Sequence, residues 1–212
     1  MSSLELEAVS IASRAGGKAL IDGLDLRIEA GETVTVMGPS GSGKSTLLAF
    51  VSGHLDPAFA ARGRVFCNER DVTGLPAEVR RIGLLFQDDM LFPHLSVGGN
   101  LAFGLTSRVK GRLARRARVE EALHNAGLEG FAERDPATLS GGQRVRVALM
   151  RTLLSEPEAL LLDEPFSKLD QDKRSEMRDF VFGHAADRQL PVLMVTHDEA
   201  DAAAAGGAVV RL

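Results

Sequence analysis

The chain has no tryptophan and no tyrosine, and ten phenylalanines are its only aromatic residues. A single cysteine, Cys67, excludes an intrachain disulfide and fits a reducing compartment. No stretch reaches the roughly 18 consecutive apolar residues of a spanning helix, so any membrane role is borrowed from a partner. The opening MSSLELEAVSIAS carries acids and no basic flank, which argues against a signal peptide. An excess of positive charge is missing too: 25 Lys and Arg face 29 Asp and Glu, a net charge of -4. Bulk electrostatics give no reason to expect nucleic acid as a partner. There is no internal repeat, low-complexity tail or linker. The 212 residues, 44% of them hydrophobic, suit one α/β core with room for a modest second lobe.

What is present begins with Gly38-Pro39-Ser40-Gly41-Ser42-Gly43-Lys44-Ser45-Thr46. It follows the β-rich Thr33–Met37 and leads into the apolar helical run Leu47–Val51, giving strand, glycine-rich turn and helix in succession. Glycines let several backbone N–H groups point inward at phosphates, and the helix opening near Gly43 adds its positive end. In such a loop Lys44 reaches the β- and γ-phosphates, and the Ser45 hydroxyl ligates Mg²⁺ between them.

Periodicity orders the remainder. Residues 4–11 and 24–28 alternate apolar with polar, which predicts two strands of an antiparallel lobe before the central strand. Arg14 to Lys18 is expected as a turn and Gly53 to Ala61 as a loop; Gly63–Phe66 and Arg81–Phe86 read as strands, the second ending at Gln87. From residue 88 to about 155 the pattern turns helical. Ser96 can cap a helix through Leu105 despite Gly98-Gly99. Arg112–Ala126 is expected to bury Leu113, Ala117, Leu123 and Ala126, with Gly127 ending it, and a helix from Gly142 to Leu154 to bury Val147, Met150 and Leu154. The α/β pattern then resumes. Leu160-Leu161-Leu162 reads as a central parallel strand, Asp172–Arg188 as a helix, Pro191–Val195 as another central strand and Ala208–Val210 as the last.

Leu160-Leu161-Leu162-Asp163-Glu164-Pro165 is a second constellation. A buried strand ending in Asp puts a carboxylate at the carboxyl edge of the sheet, beside the phosphate loop. Asp163 would hold Mg²⁺ directly or through water, and Glu164 would face the γ-phosphate as general base or water-positioner. The plainer reading of the pair is two solvated acids at a strand end.

Leu139-Ser140-Gly141-Gly142-Gln143 is a third. Ser140 and Gln143 have capping-box spacing, so the turn should open a helix, and its glycines leave N–H groups uncovered as a second anion site. If the helical insert lies away from the phosphate loop, this site would serve the nucleotide of another subunit. Otherwise it is an unliganded glycine-rich helix start. Gln87, at a strand end, can accept from water or coordinate Mg²⁺, and His197, after the last central strand, can donate to a γ-phosphate. Each is a weak signal alone. His54, His94, His124 and His184 show no metal-ligand spacing. The cations Arg108, Lys110, Arg112, Arg115, Arg116 and Arg118 read as one solvated helix face.

Across nearly its whole length the chain resembles the ATP-binding subunit of ABC transporters. Gly38–Thr46 matches the Walker A loop, Gln87 the Q-loop, Leu139–Gln143 the family signature and Leu160–Glu164 Walker B with its glutamate. Ser167-Lys168-Leu169-Asp170 matches the D-loop and His197 the switch histidine. The stretch Phe86–Val97 looks most like the ATPases of binding-protein-dependent importers. The fold this implies is a P-loop NTPase α/β core with a mostly parallel sheet, an N-terminal antiparallel β lobe and a helical subdomain inserted at about 88–155, all within a single domain of residues 1–212. No regulatory C-terminal domain is expected.

The resemblance further implies an ATPase using ATP and Mg²⁺, with Glu164, His197 and Gln87 in catalysis and Ser45, Gln87 and Asp163 at the metal. It implies a head-to-tail homodimer that sandwiches ATP between Gly38–Thr46 of one copy and Ser140, Gly141, Gly142 and Gln143 of the other. Integral membrane permease subunits and an extracytoplasmic solute-binding protein are the implied partners, with the chain at the cytoplasmic side of the inner membrane, importing a small solute. Alternatives within the same fold are a non-importer membrane complex and a soluble protein acting on nucleic acid or ribosomes. The sequence departs from the family pattern in four places, one of them Gly98-Gly99, which stands where a more helix-favouring residue often precedes the Asn. No aromatic residue occurs at Ser13–Gly17, where an adenine-stacking ring is usual, so Arg14 is the candidate stacking group and ATP and GTP are expected to bind alike. Lys168 stands where a small or neutral residue is common, and Val145 replaces a frequent polar one. These are expected to tune coupling without abolishing hydrolysis.

Overall fold

A computed structural model describes residues 2–16 and 19–212. The expected turn over Arg14–Lys18 is thus seen as far as Gly16, and Gly17 and Lys18 lie outside the described residues. In chain order the elements are β1 (Ser3–Ser13), β2 (Ile21–Glu29), β3 (Thr33–Met37), α1 (Lys44–Ser52), β4 (Phe59–Cys67), β5 (Arg70–Asp71), α2 (Ala77–Arg80) and β6 (Ile82–Leu85). Then follow α3 (Val97–Gly104), α4 (Arg112–Asn125), α5 (Gly141–Leu153), β7 (Ala159–Asp163), α6 (Gln171–Asp187), β8 (Val192–Thr196), α7 (Glu199–Ala205) and β9 (Ala208–Arg211). They fall into two compact units. One runs to Leu84 and adds Glu158–Glu164 and Arg178–Leu212; the other is Leu85–Pro157 with Pro165–Met177.

The first unit contains an antiparallel sheet, ordered β2-β1-β4-β5, and a second sheet ordered β6-β7-β8-β3-β9. In the second sheet β7, β8, β3 and β9 run parallel. Strands β7 and β8 have neighbours on both sides, and Leu160, Leu161, Leu162, Leu193, Met194 and Val195 are fully buried, which is why both read as unbroken apolar runs. Burying each such side chain is worth about 1.5–3 kcal/mol. In β1 the alternation is visible as buried Leu4, Leu6, Val9 and Ile11, interrupted by a register shift between Glu7 and Ser10. These side chains join Val36, Leu47, Leu161 and Leu193 in one apolar cluster. Register sets the site. Met37 is level with Thr196, and Asp163 with Val195, so β3, β7 and β8 end along one edge.

Strand β4 begins at Phe59, so the loop expected over Gly53–Ala61 is shorter: Ala60, Ala61 and Phe59 pair with Ala12, Ile11 and Ser13. Beneath it lies a polar hub that periodicity does not reveal. Arg80 is buried, and its guanidinium donates to the carbonyls of Leu75, Phe50, Val51 and Thr73. Two of these carbonyls sit at the end of α1, where a cation also meets the negative end of the helix.

In the second unit Ser96 caps α3, its Oγ accepting from Gly99 N at 3.1 Å. The helix accommodates Gly98 because the chain passes close by: Gly98 N donates to Ala132 O at 2.8 Å, and a Cβ there would stand 3.0 Å from that oxygen. Asn100 is fully buried and saturated, accepting from Phe92 N and donating to the carbonyls of Phe92, Leu95 and Ser96. It thereby shapes the loop 92–96. Helix α4 forms as expected, but its buried face is Val119, Ala122 and Leu123, continued by Ala126; Leu113 is 84% exposed and Ala117 also faces solvent. Among the described residues nothing covers Leu113 or Ala117, so the apolar stripe starts later than the sequence suggests. In α5 the buried residue is Leu153, not Leu154, because the helix ends at Leu153 and Leu154 has become its cap.

Candidate active site

The loop Gly38–Gly43 joins β3 to α1 as the motif requires. Gly41 and Gly43 adopt φ of 83° and 96°, the left-handed region that costs a side chain about 1–2 kcal/mol. No side chain caps the start of α1, which leaves its first N–H groups for an anion. Lys44 is 5% exposed, and its Nζ donates to the carbonyls of Gly38 at 2.8 Å and Pro39 at 2.9 Å. Its ammonium is thus held across the mouth of the loop. Ser42 Oγ is buried without a partner, 2.7 Å from where a Cβ on Gly38 would lie. Turned backbone, a bridging cation and an unsatisfied hydroxyl together form a cradle with unspent polar groups.

Ser45, in the first turn of α1, donates through Oγ to Asp163 Oδ1 at 3.0 Å. Burial raises the Asp163 pKa above the ordinary carboxylate range and Glu164 adds to the rise, while the Ser45 hydrogen bond and Lys44 pull it back. A half-desolvated carboxylate facing a hydroxyl is a pair of hard oxygen donors of the kind that suits Mg²⁺. The residues present fit that ion. Among the described residues no cluster of three or more His, Cys, Asp or Glu could hold a metal.

Glu164 follows β7 with φ of 44°, a strained conformation for a non-glycine residue. Its N–H bonds Val195 O at 3.0 Å, which pins the turn to β8. The carboxylate Oε1 lies 3.1 Å from His197 Nδ1. His197 occupies the two-residue gap between β8 and α7, and a network that sequence reasoning missed fixes that gap. Asp198 caps α7 by accepting from Ala200 N and Asp201 N, and Thr196 Oγ1 accepts from Asp198 N and donates to buried Asp201. Asp201 is in turn paired with Arg178. The readable signal was Asp198-Glu199-Ala200-Asp201 before an alanine run, an N-cap composition. The Arg178 partner, 23 residues away, left none.

The first unit thus gathers Gly38–Thr46, Asp163, Glu164 and His197. Gln87 and Ser140–Gln143 belong to the second. Ser140 and Gln143 form the capping box, with Gln143 Oε1 accepting from Ser140 N at 2.9 Å and Ser140 Oγ from Gln143 N at 3.3 Å. The start of α5 borders a cavity of about 260 Å³ lined by Ser140, Gly142, Gln143, Arg146, Lys173 and Met177, among others. Gln87 is exposed, and its Nε2 donates to Ser167 Oγ at 3.2 Å. Arg14, the candidate stacking group, is tied down: its Nε donates to the carbonyls of Pro57 and Phe59. Four of the basic run's members are engaged locally, Arg115 on the Ala102 and Val109 carbonyls and Arg108, Arg116 and Arg118 on nearby glutamates. Cys67 is buried, and desolvation with the nearby Glu158 charge pushes its pKa up to about 11.

Comparison with known proteins identifies the family. The family model described as ABC transporter matches residues 21–167. An uncharacterized ABC transporter ATP-binding protein, YnjD of Escherichia coli (strain K12), is 49% identical over 86% of this chain and 83% of its own length. The Fe(3+) ions import ATP-binding protein FbpC of Streptomyces coelicolor is 46% identical over 98% of this chain, which spans only 58% of that protein. The thiamine import ATP-binding protein ThiQ of Cereibacter sphaeroides is 47% identical over 82% of this chain and 74% of its length. Among solved structures, the ATP-binding cassette MJ0796, as a dimer in a post-hydrolysis state with ADP and Pi, superposes with a TM-score of 0.82 at 31% identity, covering 99% of this chain and 94% of that one. By its sequence, its fold and its phosphate loop, the chain belongs to the ABC transporter family, as an ATP-binding subunit that hydrolyses ATP.

Proposed function

We propose that the chain converts ATP hydrolysis into movement of integral membrane permease subunits and thereby powers import of a small solute. Import is supported by the similarity to proteins named for Fe(3+), sulfate/thiosulfate and thiamine import. Their differing substrates fit a motor whose partners choose the solute, among them an extracytoplasmic solute-binding protein. No helix among the described residues is long and apolar enough to cross a membrane, so the permease would hold the chain at the cytoplasmic face.

In this reading Gly38–Thr46 binds the triphosphate, with Lys44 exchanging its two carbonyl bonds for phosphate oxygens. Ser45 and Asp163 would hold Mg²⁺, which would supply positive charge to the phosphates when bound, and Gln87 would orient water or add an oxygen donor to the ion. Glu164 accepts the proton of the attacking water, and His197 steadies Glu164 and the γ-phosphate. Ser140–Gln143 of a second copy closes on the same nucleotide, in a head-to-tail dimer of the kind suggested by the dimeric cassette. The carrying observation is the run Ser45–Asp163, then Glu164–His197, at 3.0 and 3.1 Å on adjoining strand ends. Glu164→Gln should bind ATP while losing at least about 100-fold in kcat, and should accumulate as a dimer in Mg-ATP. Hydrolysis near the wild-type rate, or a monomer at saturating ATP in size-exclusion chromatography, would sink this reading.

A further inference from the structure

Three consecutive side chains tie the segment 87–89 to its surroundings within the second unit. Gln87 Nε2 donates to Ser167 Oγ, Asp88 pairs with Lys168, and Asp89 Oδ2 accepts from Arg144 Nε at 2.8 Å. The first two are successive rungs, 87 to 167 and 88 to 168. Both sides of this short ladder are anchored. Arg174 donates to the Leu169 and Ser167 carbonyls, holding the loop 167–169 to the first turn of α6. Arg144 also donates to Leu139 O at 2.8 Å, next to Ser140, and Arg151 bonds the Asp89 and Met90 carbonyls. Of these residues only Gln87 has been given a chemical role. Lys168 is the one whose type departs from the family pattern.

We propose that Lys168 is a positioning residue: its pair with Asp88 keeps the loop 167–170 in register with 87–88 and so fixes the Gln87 amide through Ser167. The proposal rests on the role given above to Gln87. Its physical weight is bounded. The two side chains are 57% and 69% exposed, and an exposed pair contributes little and weakens with salt. Here, however, neither partner stands on a free loop. Arg174 and Arg151 already hold the two backbones, so ordering the lysine costs less than at an open surface, and the neighbouring rung couples to it. Without the lysine charge, the Gln87–Ser167 bond is left as the sole rung.

The test compares Gln87→Ala, Lys168→Ala, Asp88→Asn and the reversed pair Lys168→Asp with Asp88→Lys, using steady-state ATP hydrolysis and amide hydrogen exchange of the full chain. Lys168→Ala and Asp88→Asn should each lower kcat about threefold with KM changed less than about twofold, and the reversed pair should recover most of the loss. In wild type the same loss should appear as salt rises from about 0.05 to 0.5 M, beyond any change in Lys168→Ala. Residues 86–91 should exchange faster in Lys168→Ala and regain protection in the reversed pair. Single substitutions that leave kcat intact while Gln87→Ala lowers it, or losses that the reversed pair does not recover, would overturn the proposal. If Gln87→Ala itself leaves kcat intact, the role given to Gln87 fails instead, and exchange alone decides: coupled protection of 86–91 upholds the ladder, and unchanged protection overturns it.

Discussion

The two units hold their functional loops by different means. In the first, the loops issue from strand ends: Met37, Asp163 and Thr196 are in register on one sheet edge, and Glu164 is pinned to Val195 by its own N–H. In the second, side chains grip the loop backbone. Asn100 shapes 92–96, Arg151 holds 89–90, and Arg174 holds 167–169. A parallel sheet fixes position through many cooperative hydrogen bonds, so losing one side chain barely moves its edge. A loop gripped by one buried amide has no such reserve.

The most severe way to test the contrast is to remove one buried hub from each unit. Asn100→Leu strips donors from three part-buried carbonyls, and Arg80→Met strips them from two buried and two part-buried ones. Each should cost about 2–4 kcal/mol by urea denaturation, because unsatisfied buried groups are expensive. Their consequences should differ. Asn100→Leu should raise hydrogen exchange across residues 89–96, whereas Arg80→Met should leave nucleotide affinity within about twofold, since the phosphate loop hangs on β3. A phosphate loop as disturbed by Arg80→Met as 89–96 is by Asn100→Leu would break the contrast.

A smaller effect concerns the cost of the strand-edge design. The Asp163 pKa is raised in the fold, chiefly by burial. A raised carboxylate favours the folded state only while protonated. That contribution is complete below the unfolded value and is lost as pH rises through the folded one. At neutral pH the ionised Asp163 therefore weakens the nucleotide-free fold. Asp163→Asn should raise the denaturation midpoint at pH 7, with the gain shrinking as pH falls below the carboxylate range, while hydrolysis drops by at least about 100-fold. A midpoint that falls at pH 7 would remove the trade-off.

The same contrast explains what could be read from the sequence. The phosphate loop, the acid pair after Leu162, the capping box and the central strands are local patterns, set by alternation, apolar runs or fixed spacing, and all were legible. The Arg80 and Asn100 hubs and the Asp201–Arg178 pair were not, because a lone polar residue in a helix or loop carries no mark of burial. Leu113 and Ala117 misled for the converse reason. They continue the apolar pattern of α4, but among the described residues no side chain covers them, and tertiary contact decides which part of a helical stripe is buried. Phe59-Ala60-Ala61 lacks alternation, so the start of β4 was hidden until pairing with β1 revealed it.

Cys67 gives the mildest test. Its thiol is buried in β4 and its pKa is raised to about 11, so at pH 8 the reactive thiolate forms only when the sheet opens. Labelling by Ellman's reagent should therefore be slow in native protein and track global unfolding of the first unit. Arg80→Met should speed it, because the end of α1 and the 73–75 segment, whose Thr73 Oγ1 accepts from Val65 N of β4, lose their shared support. Asn100→Leu should speed it less than its cost in overall stability predicts if the strain stays in 89–96. Equal acceleration by the two substitutions would mean that the side-chain-gripped loops and the strand edge unfold together, and that the difference between the units is one of geometry but not of stability.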